Sequence, residues 1–201
     1  PGSPVGPLTE IYDYLRLLFL RLAKLYCPRC GRPVTAYSIP GILEEVKQWP
    51  TGSRLLILAP LGVVREQDLM NRLKRLRREG FVRIRLDGEV LELDPLPATA
   101  RQAAYRVDVV VDRLVLDDAR IQRLSESLET ALKLGNRTAI VVRLEGEEKQ
   151  FSEVFRCAAC GIEFPELTLS LFSFRHPAGM CELCKGLGYL SASSDESRKS
   201  R

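Results

Sequence analysis

Histidine is nearly absent from these 201 residues: His176 stands alone, beside one tryptophan and two methionines. A single imidazole leaves little scope for histidine-based proton transfer. There is no G-x-x-x-x-G-K-[ST] run, so no lysine and amide cradle is at hand for the β- and γ-phosphates of a nucleotide. Long apolar runs are missing too. The most apolar stretch, Leu15 to Leu25, is interrupted by Arg16, Arg21 and Lys24 and is too short to cross a bilayer. Charge of one sign is lacking as well: 30 basic against 26 acidic residues leave a net +4, which permits contact with nucleic acid or an acidic partner without demanding either. No enzyme is expected from this chain.

Cysteine is what the chain does have, in three Cys-x-x-Cys pairs. Cys157 and Cys160 lie in CAAC, and Cys181 and Cys184 in CELC, with 20 residues between the two pairs. Two such turns bridged by about 15–20 residues are the spacing of a four-thiolate zinc site. Gly161 and Gly186 follow closely, where a tight turn can aim backbone amides at sulfur. Two disulfides are the competing reading. No signal-peptide pattern opens the sequence, so a reducing, cytoplasmic compartment is expected and zinc is favoured. Four thiolates fill a tetrahedral sphere and leave no position for a reacting water, so the site is expected to be structural. The aromatic segment FPELTLSLFSF, 164–174, between the two pairs is expected to be the small core that the metal pins. Cys27 and Cys30 form a third pair, in YCPRCGRPV. Six cysteines cannot complete two four-thiolate sites, which leaves these two as half of a second site or a turn kept for its geometry. His176 reads as a loop residue.

Along the chain, PGSPVGP cannot be regular structure, and Thr9 reads as the N-cap of a helix whose apolar face (Ile11, Tyr14, Leu15, Leu18, Leu22, widened by Leu17, Phe19 and Leu20) nearly encircles it. A short helix is predicted near 41–48, a buried strand over 54–59 and a basic helix over 66–79. FVRIRLDGEVLEL alternates on both sides of Asp87-Gly88, the signature of a two-residue hairpin. Phe81, Arg83 and Arg85 then share an open face, with Val82, Ile84 and Leu86 toward the core. DPLPATAR is a loop, 105–116 a long strand, and Asp117 or Asp118 caps a helix to about Leu134. Strands near 138–144 and 150–155 follow. The fold class is α+β: a mostly antiparallel sheet with helices on one face, preceded by a helix and followed by a small four-cysteine zinc module. The expected divisions are 1–53, 54–155, 156–190 and a disordered polar tail, 191–201.

VGPLTEIYDYLRLLFLRLAKLYCPRCGRPV, EGFVRIRLDGEV, VVVDRLVL, RLSESLETALKL and FSEVFRCAACGIEFPELTLSLFSFRHPAGMCELCKGLG occur in that order, from about Val5 to Gly188. In sequence and order they resemble the UvrA family, the damage-sensing ATPases of bacterial nucleotide excision repair. The resemblance implies a UvrB-binding domain over about 54–155 beside a zinc module. It implies UvrB as partner, with DNA contact, ATP and homodimerisation belonging to the full-length family. This chain lacks an LSGG-type signature as well as the P-loop, and PGSPVGP departs from the family's serine/threonine-rich run. No ATP is expected to bind here. Arginine forks suit carboxylates, so Arg83 and Arg113 are the first candidates for docking, with Arg85 and Asp87 as neighbours. The cluster Arg72–Arg78 has no interleaved aromatics to stack on bases and reads as the solvated side of a helix, with DNA contact as the alternative. A free-standing zinc-ribbon nucleic-acid binder is the competing class.

Overall fold

The computed structural model describes residues 10–97 and 102–189. Segment 1–7, the Thr9 cap, the 98–101 part of the DPLPATAR loop and the 191–201 tail lie outside the described residues. The chain divides into two compact units. One combines the chain up to Tyr26 with the chain from Pro165 on, and the other is Cys27–Phe164. These divisions fall elsewhere than at 53/54 and 155/156, because residues 27–53 and 157–164 pack with the α+β sheet.

In the first unit, helix α1 (Ile11–Leu22) has no buried residue. Tyr12 stacks on Phe174 with ring centroids 5.5 Å apart, and Phe19 meets Phe172 at 6.4 Å. Phe172 and Phe174 of the aromatic segment thus lie against this helix. Among the described residues no helix is long and apolar enough to cross a membrane.

In the second unit, helix α2 (Ile39–Lys47) is capped by Ser38, whose Oγ accepts from the Gly41 amide at 3.3 Å. It buries Ile42 and Val46 in the main core. Strand β1 (Arg54–Arg65) leads into helix α3 (Glu66–Arg78), which buries Leu69, Leu73 and Leu76. Strands β2 (Arg83–Leu86) and β3 (Glu89–Glu92) form the expected hairpin. Asp87 (φ 48°) and Gly88 (φ 97°) both take the left-handed backbone that a primed two-residue turn requires. Then come strand β4 (Ala104–Val115), helix α4 (Ile121–Leu134), and strands β5 (Thr138–Arg143) and β6 (Glu147–Ser152). Asp117 receives the Arg120 amide at 2.9 Å and starts a short 3-10 turn before α4.

The six strands run in the order β3-β2-β4-β1-β5-β6, antiparallel throughout. The three helices cover one face, confirming the α+β class. Ile57, Ala59, Val107, Val109, Ile84 and Val141 meet Leu73, Leu124 and Leu128 there. Val82, expected in this core, is exposed. Strand β2 starts only at Arg83, and Phe81, its amide bonded to the Leu76 carbonyl at helix α3, takes the inward place. Strand β1 also runs six residues past its expected end. It passes Pro60 because its register with β4 shifts between Pro60 and Gly62, where Gly62 has φ 80°.

A second register shift, between Ile57 and Leu58, leaves Val111 of β4 as the extra residue. Bulges bend a sheet and increase its twist. Here the uncovered face becomes a trough with its own apolar floor of Leu56, Leu58, Val110 and Ile140, flanked by Val142.

Candidate metal centre and docking face

Two turns of the same construction lie at the ends of the α+β unit. The Cys27 amide donates to the Arg32 carbonyl at 2.9 Å, and the Gly31 amide to the Cys27 carbonyl at 2.8 Å. The Cys157 amide donates to the Ile162 carbonyl and the Gly161 amide to the Cys157 carbonyl, both at 2.8 Å. Gly31 and Gly161 share φ 69°. A Cβ at either glycine would meet no atom within 4 Å, so the turn needs glycine for its backbone angle and not for space.

These turns bring Cys27, Cys30, Cys157 and Cys160 together, with all four Sγ atoms within 4.8 Å of one another. Cys30 Sγ and Cys157 Sγ are 3.5 Å apart. Tetrahedral zinc with bonds of about 2.3 Å places its sulfurs about 3.8 Å apart, so the donor set and its spacing fit zinc. Cys27 and Cys157 are buried, Cys30 is exposed and Cys160 lies between. The Cys160 amide faces Cys157 Sγ at 3.4 Å and chiefly accounts for the lowering of that thiol to about 7, against the opposing effect of burial. The Cys160 thiol is pushed up to about 12, first by its hydrogen bond with Cys30 and then by burial. One thiolate in the cluster thus makes the next harder to form until a cation balances the charge.

The four cysteines brought together are not the four expected from spacing. Cys157 and Cys160 pair with Cys27 and Cys30, while Cys181 and Cys184 belong to the other unit. The 157–164 turn is closed by the Phe164 amide on the Phe155 carbonyl at 2.7 Å. In CELC the position that matches Gly31 and Gly161 is Lys185, at φ 50°, its amide bonded to the Cys181 carbonyl at 2.9 Å. His176 is a loop residue: its Nδ1 accepts from the Ala178 amide at 3.2 Å.

On the uncovered face of the sheet, Arg83, Arg113, Glu92, Val90, Leu56 and Leu144 line a cavity of about 390 Å³. Strand parity puts them there. Arg83 pairs in register with Glu92, and Leu56 with Arg113. Arg83 donates to Glu92 at 3.0 Å, whereas the exposed Arg113 guanidinium has no ion pair among the described residues. The two arginines singled out first thus do converge.

Arg85 does not stand on an open face as expected. It is buried, 8% exposed, with Nε 2.8 Å from Asp108 and Nη1 2.5 Å from Glu148. Burial alone would lower its pKa, but the bonds to Glu148 and Asp108 outweigh that and raise it. Asp87 is exposed at the turn, and its Oδ1 accepts from the Arg106 amide at 2.8 Å, pinning the hairpin to β4.

Sequence reasoning missed Asp108 and Glu148. The available signal was an aspartate inside VDVVVD, an unfavourable place for an unpaired charge. Asp112, on the same sequence parity, ends on the helix side because the Val111 bulge intervenes. There it receives Arg123 at 2.7 and 2.8 Å and Ser127 Oγ at 2.8 Å. On helix α3, Arg75 pairs with Glu79 at 2.8 Å and Arg77 with Asp94 at 3.4 Å, consistent with a solvated face.

Residues 38–145 match the family model described as the UvrA interaction domain. Proteins named UvrABC system protein A are similar over 94% of the chain: 44% identical in Pseudomonas putida, 42% in Escherichia coli and 41% in Neisseria meningitidis. The chain spans about 20% of the length of these curated relatives.

Proposed function

This chain belongs to the UvrA interaction domain family, and on that footing we propose that it docks UvrB through the open end of the trough while a zinc ion on four cysteines holds the unit together. Its setting is nucleotide excision repair. The observation that carries the docking reading is the convergence of Arg83 and Arg113 on one cavity with apolar walls. An apolar floor rimmed by guanidinium forks suits a protein surface that presents a carboxylate beside an aliphatic side chain. Arg113 supplies the uncommitted fork. Arg83, shared with Glu92, supplies one that can be re-partnered.

Cys27, Cys30, Cys157 and Cys160 would hold the zinc. With all four positions filled by sulfur it supplies folding energy and no Lewis-acid chemistry. Nucleotide turnover, DNA contact and dimerisation fall, in this reading, to parts of the relatives outside the matched segment. A nucleic-acid reading of helix α3 has less support, since two of its cations are already engaged with acids.

Calorimetric titration of the zinc-loaded chain with purified UvrB tests the assignment. Saturable binding that disappears in Arg83→Ala/Arg113→Ala is expected. A folded, zinc-loaded chain that gives no heat of binding overturns it.

A further inference from the structure

We infer that Arg85 is a tie across the trough: by joining strand β2 of the hairpin to the far edge strand β6 through Glu148 it sets how far apart the walls of the docking cavity stand, and so positions Arg83 and Glu92 against Arg113. The inference rests on the docking reading.

The distances require a curled sheet. Arg85 lies on β2 and Glu148 on β6, with β4, β1 and β5 between them. Four strand spacings in a flat sheet amount to about 19 Å, beyond the combined reach of an arginine and a glutamate. Yet Arg85 Nη1 lies 2.5 Å and Nη2 3.4 Å from the two carboxylate oxygens of Glu148, a two-point grip. The sheet therefore folds over its floor, and Arg85 spans the gap above Val110 and Ile140.

The rest of the guanidinium is anchored on the adjacent strand. Arg85 and Asp108 are direct register partners, and Asp108 is 1% exposed. One carboxylate oxygen holds Arg85, and the other, Oδ1, has no partner among the described residues. A buried carboxylate with half its capacity unmet costs stability. That geometry is understandable if the fork has to reach outward to Glu148.

Arg83 is two residues before Arg85 on β2 and Glu92 is its partner on β3, so moving this hairpin moves one wall of the cavity. Arg113 and Leu56 stand on central strands and Leu144 just beyond β5. The tie thus adds to the β2–β4 pairing a second hold on the hairpin wall, from β6, whose neighbour β5 leads to Leu144. Arg85 is a positioning residue that need not touch the partner.

Removing Arg85 would strand a buried Asp108, so the cleaner cut is Glu148, whose side chain is 43% exposed. Glu148→Ala severs the tie and leaves Arg85 on Asp108. Hydrogen exchange on the full chain should show faster exchange at 83–92 and 147–152 with α4 unchanged. Affinity for UvrB should fall by about tenfold, although Glu148 does not line the cavity. Combined with Arg113→Ala, the loss should be smaller than the product of the two single losses, and Glu148→Gln should restore part of the affinity. A hairpin that exchanges at the wild-type rate in Glu148→Ala overturns the tie. A loosened hairpin with unchanged affinity, or losses that simply multiply, overturns the positioning role. A wild-type chain that does not bind UvrB, with the hairpin loosened in the variant, overturns the docking reading alone and leaves the tie as an architectural device.

Discussion

Cys30 Sγ lies 3.5 Å from Cys157 Sγ although 127 positions separate them in the chain. Two knuckles with the same hydrogen bonds and the same glycine angle meet at that point.

That pairing predicts which cysteines hold metal. Cys30→Ser or Cys160→Ser should abolish stoichiometric zinc and lower the melting temperature of the α+β unit. Cys181→Ser should leave zinc content at one ion per chain. Atomic absorption on the purified variants decides it, and loss of zinc in Cys181→Ser would restore the pairing expected from spacing alone.

Arg113 should matter more for docking than Arg83, because Arg83 already spends its fork on Glu92. Arg113→Ala should weaken UvrB binding by about tenfold or more, and Arg83→Ala by less. Glu92→Ala should release Arg83 and raise affinity or salt sensitivity. Titrations at two salt concentrations measure all three.

Asp112 gives a pH dependence whose sign is fixed. Burial would raise its pKa, but the hydrogen bonds from Arg123, Ser127 and the Arg113 amide outweigh this and hold it below the ordinary aspartate value. A carboxyl with a depressed folded pKa stabilises above its unfolded pKa and loses that contribution as pH falls through the folded one. Wild type should exceed Asp112→Asn by about 1–2 kcal/mol near neutrality, and the gap should close below about pH 4. Thermal melts across acidic pH test this; a gap that widens on acidification contradicts it.

Gly161→Ala should cost about 1–2 kcal/mol through backbone strain alone, since an added Cβ there meets nothing within 4 Å. Competition with a chromophoric chelator should show weaker zinc retention. Gly41→Ala, at a helical position in ordinary contact with Ser38 and Tyr37, should not alter it.

Much of the fold was legible because its signals are local. Asp87-Gly88 announces its turn, Leu69, Leu73 and Leu76 announce a buried stripe, and every strand of the sheet was placed, though β1 at only half its length. What stayed hidden depends on the sheet's curvature. No periodicity shows that Val111 is an extra residue, so the opposite destinations of Asp108 and Asp112 are invisible in VDVVVD. For the same reason Arg85 looked like a solvated neighbour of Arg83, when its partner Glu148 lies four strands away. The meeting of Cys27 and Cys30 with Cys157 and Cys160 was hidden for another reason. Spacing rules favour the nearer pair, but two knuckles of one unit met through its tertiary fold.

A zinc ion on the cysteine cluster would make the α+β unit a closed ring. Cys27 opens it and Cys160 lies four residues before its end at Phe164, so a metal at their meeting point would join its two ends. Closing a loop of this length removes about 5 kcal/mol of unfolded-chain entropy. A ring has no obligatory starting point, so opening it at the exposed Gly146 turn and splicing its natural ends at the clasp should return the same sheet.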